Sequence, residues 1–474
     1  MTDIAHLTAL ELRDAFAAGF LSPVEVAEHL LTRIDQLDGV LNAWCLLDPE
    51  RTLADAKASE VRWQREEPLG LLEGIPVAVK DVFLTEGWPT LRGSVLVDPD
   101  QPWKEDAPSV AALRRHGAVL LGKTTTPELG WKGVTDAPAY GVTRNPWNPT
   151  LTPGGSSGGS SAAVAAGMAP LALGTDGGGS IRIPAGFSGI VGMKPTWGRV
   201  PHWPVSPYGA LAHAGPMART VADTALMLQV LSEPDPRDAG ALIPDHLDYL
   251  AGIDRGIAGI RIAFSPDLGY VEVHPEINQS LDAAAHAFEQ LGAVVEEAHP
   301  GFSDPVDIYN LLWNTGAAQA TRHLTDGQRA SMDPGLQEIT ADGATRSALD
   351  YLDAAAQRGE LAVSMSLFHQ RYDLLLTPTL PIPAFEAGRE VPEGWPQRRW
   401  PTWTPFSYPF NLTQQPAVSV PCGFTGDGLP IGLQLVAARG HDALVLRAAR
   451  AYEQAHPLTD RHPPIDKTIN EREV

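Results

Sequence analysis

Cysteine is nearly absent. Two residues in 474, Cys45 and Cys422, are too few for a disulfide framework and fit a reducing, cytoplasmic setting. Cys422, in Val420-Pro421-Cys422-Gly423, is also a weak nucleophile candidate, because an isolated cysteine in an apolar run most often serves as a small buried residue. No apolar run is long enough to span a bilayer, and the start Met1-Thr2-Asp3-Ile4-Ala5-His6 lacks the basic and apolar regions of a secretion signal. Positive charge is in deficit: 35 Lys and Arg against 57 Asp and Glu leave a net charge of −22. Such a surface repels phosphate backbones, so no nucleic-acid partner is expected, and a neutral or cationic small molecule suits it better. Several catalytic patterns are missing too. There is no H-E-x-x-H and no clustered histidine spacing, so no metal is expected. No glycine cluster ends in the GK[ST] of a phosphate-binding loop, and no lysine has a serine three residues before it.

What is present is organised without visible linkers, repeats or low-complexity tracts. Length alone suggests two or three domains, but the absence of a linker favours one large α/β domain over residues 1–474. Residues 1–67 read as helices: Thr8 can cap one, and Ser22-Pro23 opens another whose apolar face carries Val26, Ala27, Leu30 and Ile34. From 72 to 200 short apolar runs alternate with helices (Ile75–Val79, Ala118–Leu121, Leu171–Leu173, Ile190–Met193), as buried strands of a sheet do. Further strands are expected at Arg261–Phe264, Leu374–Thr379, Ala417–Pro421 and Ile431–Val436. Helices are expected at Thr220–Leu231, Pro275–Leu291, through most of 302–371, and at Ala443–Ala455.

The chemistry concentrates in two glycine-serine clusters and one of only seven lysines. The clusters are Gly154-Gly155-Ser156-Ser157-Gly158-Gly159-Ser160 and Gly174-Thr175-Asp176-Gly177-Gly178-Gly179-Ser180. Main-chain N–H groups from Gly177 to Ser180 can converge into an anion-binding nest, where a carbonyl attacked by Ser180 would place its oxyanion. A serine hydroxyl needs a base, and a second serine, Ser156, can relay its proton to a stronger one. Lys80 ends the apolar run Ile75-Pro76-Val77-Ala78-Val79, where burial would lower its pKa and leave it neutral. The bland alternatives are a tight turn at Ser180 and a salt bridge at Lys80. Gly155-Ser156-Ser157-Gly158-Gly159 also satisfies G-x-S-x-G, with Ser157 as nucleophile, but the preceding proline-rich Asn145–Pro153 is no strand, so that reading fails.

These clusters, with Lys80 lying 76 residues before Ser156 and Ser180 lying 24 after it, resemble the amidase signature enzymes. The resemblance extends through Gly192-Met193-Lys194-Pro195-Thr196, Asp373–Thr379, Asn411-Leu412-Thr413 and Gly428–Gln434, nearly the whole chain. It implies a single domain with a mixed β-sheet covered by helices on both faces, a catalytic core over 72–200 and a variable substrate-pocket region over 300–410. It also implies a Ser–cis-Ser–Lys triad of Ser180, Ser156 and Lys80, an oxyanion hole from the N–H groups of Gly177, Gly178, Gly179 and Ser180, and no cofactor. Gly130, Trp131 and Ile183 are expected at the substrate, and the Trp395–Phe410 stretch either at the mouth or packed on itself. Ile183 stands where glutamine-hydrolysing relatives usually carry glutamine, and Gly177 where threonine is frequent. The expected activity is therefore hydrolysis of hydrophobic or aryl amides, extending to aryl carbamates and esters, as in aryl acylamidases, nylon-oligomer hydrolases and urethanases. The alternatives are a glutamine-hydrolysing subunit of a tRNA-dependent amidotransferase that needs partner proteins, and a catalytically silent scaffold. A monomer and a homodimer fit equally.

Overall fold

The computed structural model describes residues 3–244, 247–458 and 461–465; the expected domain limits at 1 and 474 lie outside them. Eleven strands form one mixed sheet, and a two-stranded ribbon, β4 (Asp136–Ala137) and β5 (Gly141–Val142), stands apart. In the sheet, β1 (Trp44–Leu47), β2 (Pro76–Lys80), β3 (Val119–Thr124) and β6 (Leu171–Asp176) form one half together with β7 (Val191–Lys194) and β8 (His213–Ala218). The other half holds β9 (Arg261–Phe264), β10 (Val294–Glu297), β11 (Leu374–Pro378), β12 (Ala417–Phe424) and β13 (Pro430–Ala437). Their spatial order is β1-β3-β2-β6-β8-β7-β12-β13-β11-β9-β10. Helices cover both faces, as expected from the resemblance. Among the described residues no helix is long and apolar enough to cross a membrane.

Local chemistry explains the expected elements. Thr8 and Ser22 each complete a capping box with a glutamate three residues on, and Pro23 occupies the first turn. The expected strands all form, within a few residues of their limits. Five further strands depart from the reading: the two of the β4–β5 ribbon and three in the sheet. Residues 1–67 are not wholly helical: Asn42, at φ 51°, ends the helix Pro23–Leu41, and the Asp38 carboxylate accepts N–H bonds from Ala43 and Trp44. The chain is thereby turned into β1, which pairs antiparallel with β3. His213–Ala218 carries little β-branched character, yet it enters the sheet between β6 and β7 and is buried throughout. Val294–Glu297, polar at both glutamates, becomes an edge strand.

The interior divides into two main parts. Aliphatic side chains of the strands and their covering helices form the larger core. A second core is aromatic, with Trp131, Tyr309, Trp313, Trp400, Trp403 and Tyr408 contributed by helices and loops beyond the sheet. Cys45 and Cys422 are both free thiols, and burial raises the Cys422 pKa, which suits packing rather than nucleophilic attack.

Candidate active site

Lys80 is the last residue of β2, which lies parallel to β3 and β6, so its side chain leaves the sheet in the middle of the molecule. It is fully buried, with no acidic partner in hydrogen-bond range among the described residues. Its Nζ instead lies 2.7 Å from Ser156 Oγ, 2.9 Å from Ser157 Oγ and 2.7 Å from Thr175 Oγ1. Burial pushes the Lys80 pKa well below that of an ordinary lysine, and the more distant Asp176 carboxylate only partly opposes this. A neutral amine has two N–H donors and one lone pair, which three surrounding hydroxyls satisfy when one of them donates to nitrogen.

Ser156 and Ser157 lie on the glycine loop that enters the helix Gly158–Ala165, and the Gly155–Ser156 peptide is cis. Ser157 is a brace: its hydroxyl bonds the main chain of Thr175, and its N–H donates to the Ser180 carbonyl at 3.1 Å. The first serine loop is thus tied directly to the second.

The second loop is wound around Asp176, the last residue of β6. Its buried carboxylate accepts from Gly179 N–H (2.7 Å), from Arg182 Nε and Nη2 (both 2.9 Å), and from Asn411 Nδ2 (2.9 Å). Burial alone would raise this carboxyl; the Arg182 charge and hydrogen bonds overcome that and hold it well below the usual carboxylate range. Arg182 is itself fully bonded, to Asn411 Oδ1, Gln434 Oε1 and the Ser407 carbonyl. This pair was not singled out from the sequence, although the acid directly before the glycines and the arginine two residues past Ser180 were visible.

One expected role changes as a result. Gly179 N–H already serves Asp176, so it is not free to bind an oxyanion. The N–H groups of Gly177, Gly178 and Ser180 have no acceptor among the described residues, and the Ser180 hydroxyl makes no hydrogen bond either. Aromatic rings press onto this turn, which is why two of its residues lack side chains. A Cβ on Gly177 would lie 2.8 Å from Trp313, and one on Gly178 would meet the Tyr309 hydroxyl and lie 2.7 Å from Trp400.

Ser156, Thr175, Gly177 and Ser180 share a cavity of about 290 Å³. Gly130 lines it as expected, at φ +69°; a Cβ there would sit 3.4 Å from Ser156 Oγ. Trp131 and Ile183 do not line it. Trp131 is fully buried behind the wall, where its carbonyl accepts the Trp313 indole N–H at 3.1 Å. Ile183 packs against the Gly154 and Gly179 backbones and so supports the two serine loops. Trp400 and Trp403, in the Trp395–Phe410 stretch, are buried in the aromatic core rather than placed at the mouth. The walls come instead from Phe83, Trp203, Tyr208 and Trp313, on two loops and one helix that carry no motif. Tyr208 stacks on Trp313 with ring centroids 3.7 Å apart.

A profile of the family described as Amidase matches residues 25–446. An acylamidase from Rhodococcus erythropolis is 39% identical over 464 residues, covering 96% of this chain and 97% of its own. A glutamyl-tRNA(Gln) amidotransferase subunit from Chloroflexus aurantiacus is 36% identical, covering 98% of each. Among solved structures, a bacterial aryl acylamidase of the amidase signature family superposes with a TM-score of 0.89 at 32% identity, covering 96% of this chain and 97% of that one. A 6-aminohexanoate cyclic dimer hydrolase, solved with its substrate, superposes at 0.87 with 29% identity and coverage of 98% and 100%. The chain belongs to the amidase family.

Proposed function

We propose that this amidase hydrolyses hydrophobic and aryl amides, and aryl carbamates and esters with them, through an acyl-enzyme on Ser180. The observation that carries the reading is the contact of a buried, acid-free Lys80 with Ser156, beside a Ser180 hydroxyl that is unbonded and faces the cavity. Ser180 Oγ bonds to the substrate carbonyl carbon and passes its proton to Ser156, which passes its own to Lys80 Nζ. The N–H groups of Gly177, Gly178 and Ser180 hold the oxyanion. When the C–N bond breaks, the proton returns through Ser156 to the leaving nitrogen, and the amine departs. Water then attacks the Ser180 ester, giving its proton to the same relay, and the acid leaves as Ser180 Oγ is reprotonated.

Support for the substrate class is the aromatic wall, which offers a flat apolar group burial and ring contacts. The likeness to acylamidases points the same way. The test is release of nitroaniline from a nitroanilide by the purified chain alone, with Ser180→Ala as control. Turnover that disappears in the variant supports a self-sufficient aryl amidase, and the matching carbamate is assayed next. No turnover by either protein, with glutamine hydrolysed only when partner proteins are added, overturns the reading in favour of an amidotransferase component.

A further inference from the structure

One wall of the cavity is unlike the rest. Arg92 is the one permanently charged residue among the described residues that line it, and no aspartate or glutamate faces it there. Its guanidinium has no hydrogen bond or ion pair among the described residues. The nearest acid, Asp81, is already engaged by Lys123 Nζ at 3.3 Å and by the Tyr140 hydroxyl. What Asp81 gives Arg92 is a backbone anchor: it accepts the Arg92 N–H at 2.8 Å, while the Arg92 carbonyl accepts Leu129 N–H at 2.7 Å. These bonds hold Arg92 at φ 56°, a left-handed conformation uncommon for a long L side chain. The backbone is thus fixed at some conformational cost, with the guanidinium free on the cavity wall.

The neighbouring element on the same wall is also an unsatisfied donor. The helix Pro108–Arg115 opens on the cavity with Ala107, Pro108 and Ser109, and no side chain caps it. Asp106, in position to help, instead accepts Glu86 N–H and Arg114 Nε. Among the described residues the N–H groups of Ser109 and Val110 have no acceptor, and the buried Ser109 hydroxyl has no partner. Both donors are tied to one segment. Ala107 N–H donates to the Leu84 carbonyl, and Thr90, two residues before Arg92, donates to the Phe83 carbonyl at 3.1 Å. An uncapped helix N-terminus favours negative charge, and a guanidinium matches a carboxylate in shape and charge.

We propose that this wall is a carboxylate subsite, so that the preferred substrates are amides bearing a free carboxylate besides the apolar group taken by the aromatic wall. This rests on the amidase reading and narrows its substrate class. Partial burial lowers the Arg92 pKa, with Asp81 partly opposing; an anionic ligand would supply a bonded counter-charge that this half-buried cation lacks.

Two matched pairs test it. One compares the nitroanilides of glutaric and pentanoic acids, which place the carboxylate on the acyl side. The other compares N-acetyl-4-aminobenzoate with acetanilide, which place it on the amine side. The expected result is a kcat/KM about ten- to a hundredfold higher for the carboxylate in at least one pair. Arg92→Gln should bring that ratio to about one, and Arg92→Lys should restore part of it. Should Arg92→Gln fail to fold, the wild type still answers: glutarate should compete with substrate at least tenfold better than its dimethyl ester, which has no free carboxylate. No carboxylate preference in either pair, a preference that persists in a folded Arg92→Gln, or equal competition by acid and ester would overturn the subsite. Hydrolysis of the neutral partners would meanwhile leave the amidase reading intact. If none of the four amides is cleaved in a Ser180-dependent way, the amidase reading itself fails and takes the subsite with it.

Discussion

The floor of the cavity and its walls are built by opposite means. The floor is sheet-borne: Lys80 ends β2, Asp176 ends β6, and the side chains that brace them are tied to one another, Ser157 alone bonding Lys80, Thr175 and the Ser180 carbonyl, while the Ser180 hydroxyl is left unbonded. The walls are loop-borne aromatics from 83, 203 and 208 and the helical Trp313, held by stacking and by few hydrogen bonds. Where a reaction needs protons moved over a few tenths of an ångström, rigid strands supply the anchoring; where it needs a shape, loops supply it. The two meet at Gly177 and Gly178, onto which the aromatic rings are pressed.

The largest expected effect is on the floor. Ser180→Ala should reduce kcat on the order of 10⁶-fold, and Lys80→Met at least about 10³-fold, both without loss of cooperative thermal unfolding. Near-normal turnover by Lys80→Met at neutral pH would sink the proton relay. Next comes the seam between floor and wall. Gly178→Ala should cost about 100- to 1,000-fold in kcat, because its Cβ would displace the turn from Tyr309 and Trp400 and with it an oxyanion donor. A rate within a few-fold of wild type would show that the turn does not hold the oxyanion.

On the wall the effect should fall on substrate choice rather than chemistry. Trp313→Ala removes the ring over Gly177 and the partner of Tyr208. We expect kcat/KM for bulky anilides to drop about tenfold, with small aliphatic amides affected less. An equal loss for all amides would mean that Trp313 props the floor and does not select substrate, and the comparison between the two regions would collapse at that point.

The same division explains what the sequence disclosed. The floor was legible because its geometry demands particular residues: glycines where rings or backbone come close, serines at fixed spacing, and a lysine at the end of an apolar strand. Asp176 and Arg182 lay within that pattern but were passed over, since a carboxylate that shapes a turn has no motif of its own. The walls were not legible. Phe83, Arg92, Trp203, Tyr208 and Trp313 are scattered over more than two hundred residues and meet only through the fold. The aromatic density at Trp395–Phe410 left both the mouth and packing within the protein open, because composition does not say which way a ring faces. Trp400, Trp403 and Tyr408 point into the second core and Phe406 and Phe410 into a smaller apolar cluster, where burying their area favours folding. The unexpected strand His213–Ala218 shows the same limit, because its place between β6 and β7 comes from its neighbours and not from its own propensity.

The smallest effect, and the one that isolates the floor's electrostatics, is on the pH dependence of stability. Lys80 is held below its ordinary pKa in the folded state and regains it on unfolding, near 10.4. Between those two values the unfolded chain binds the extra proton, so folding is opposed at the acid end of the window and the opposition fades as pH rises. Lys80→Met has no such proton. Its stability minus that of the wild type should therefore fall as pH is raised through the window, by up to about 1.4 kcal/mol per pH unit, and level off near the unfolded value. Other buried groups, Lys194 among them, are common to both proteins and cancel in the difference. Lost hydrogen bonds to Ser156, Ser157 and Thr175 shift the offset but not the slope. Denaturant titrations of both proteins between pH 6 and 10 give that slope directly. A flat difference would mean that Lys80 keeps its proton in the folded protein, and a charged ammonium at that position has no lone pair with which to take a proton from Ser156.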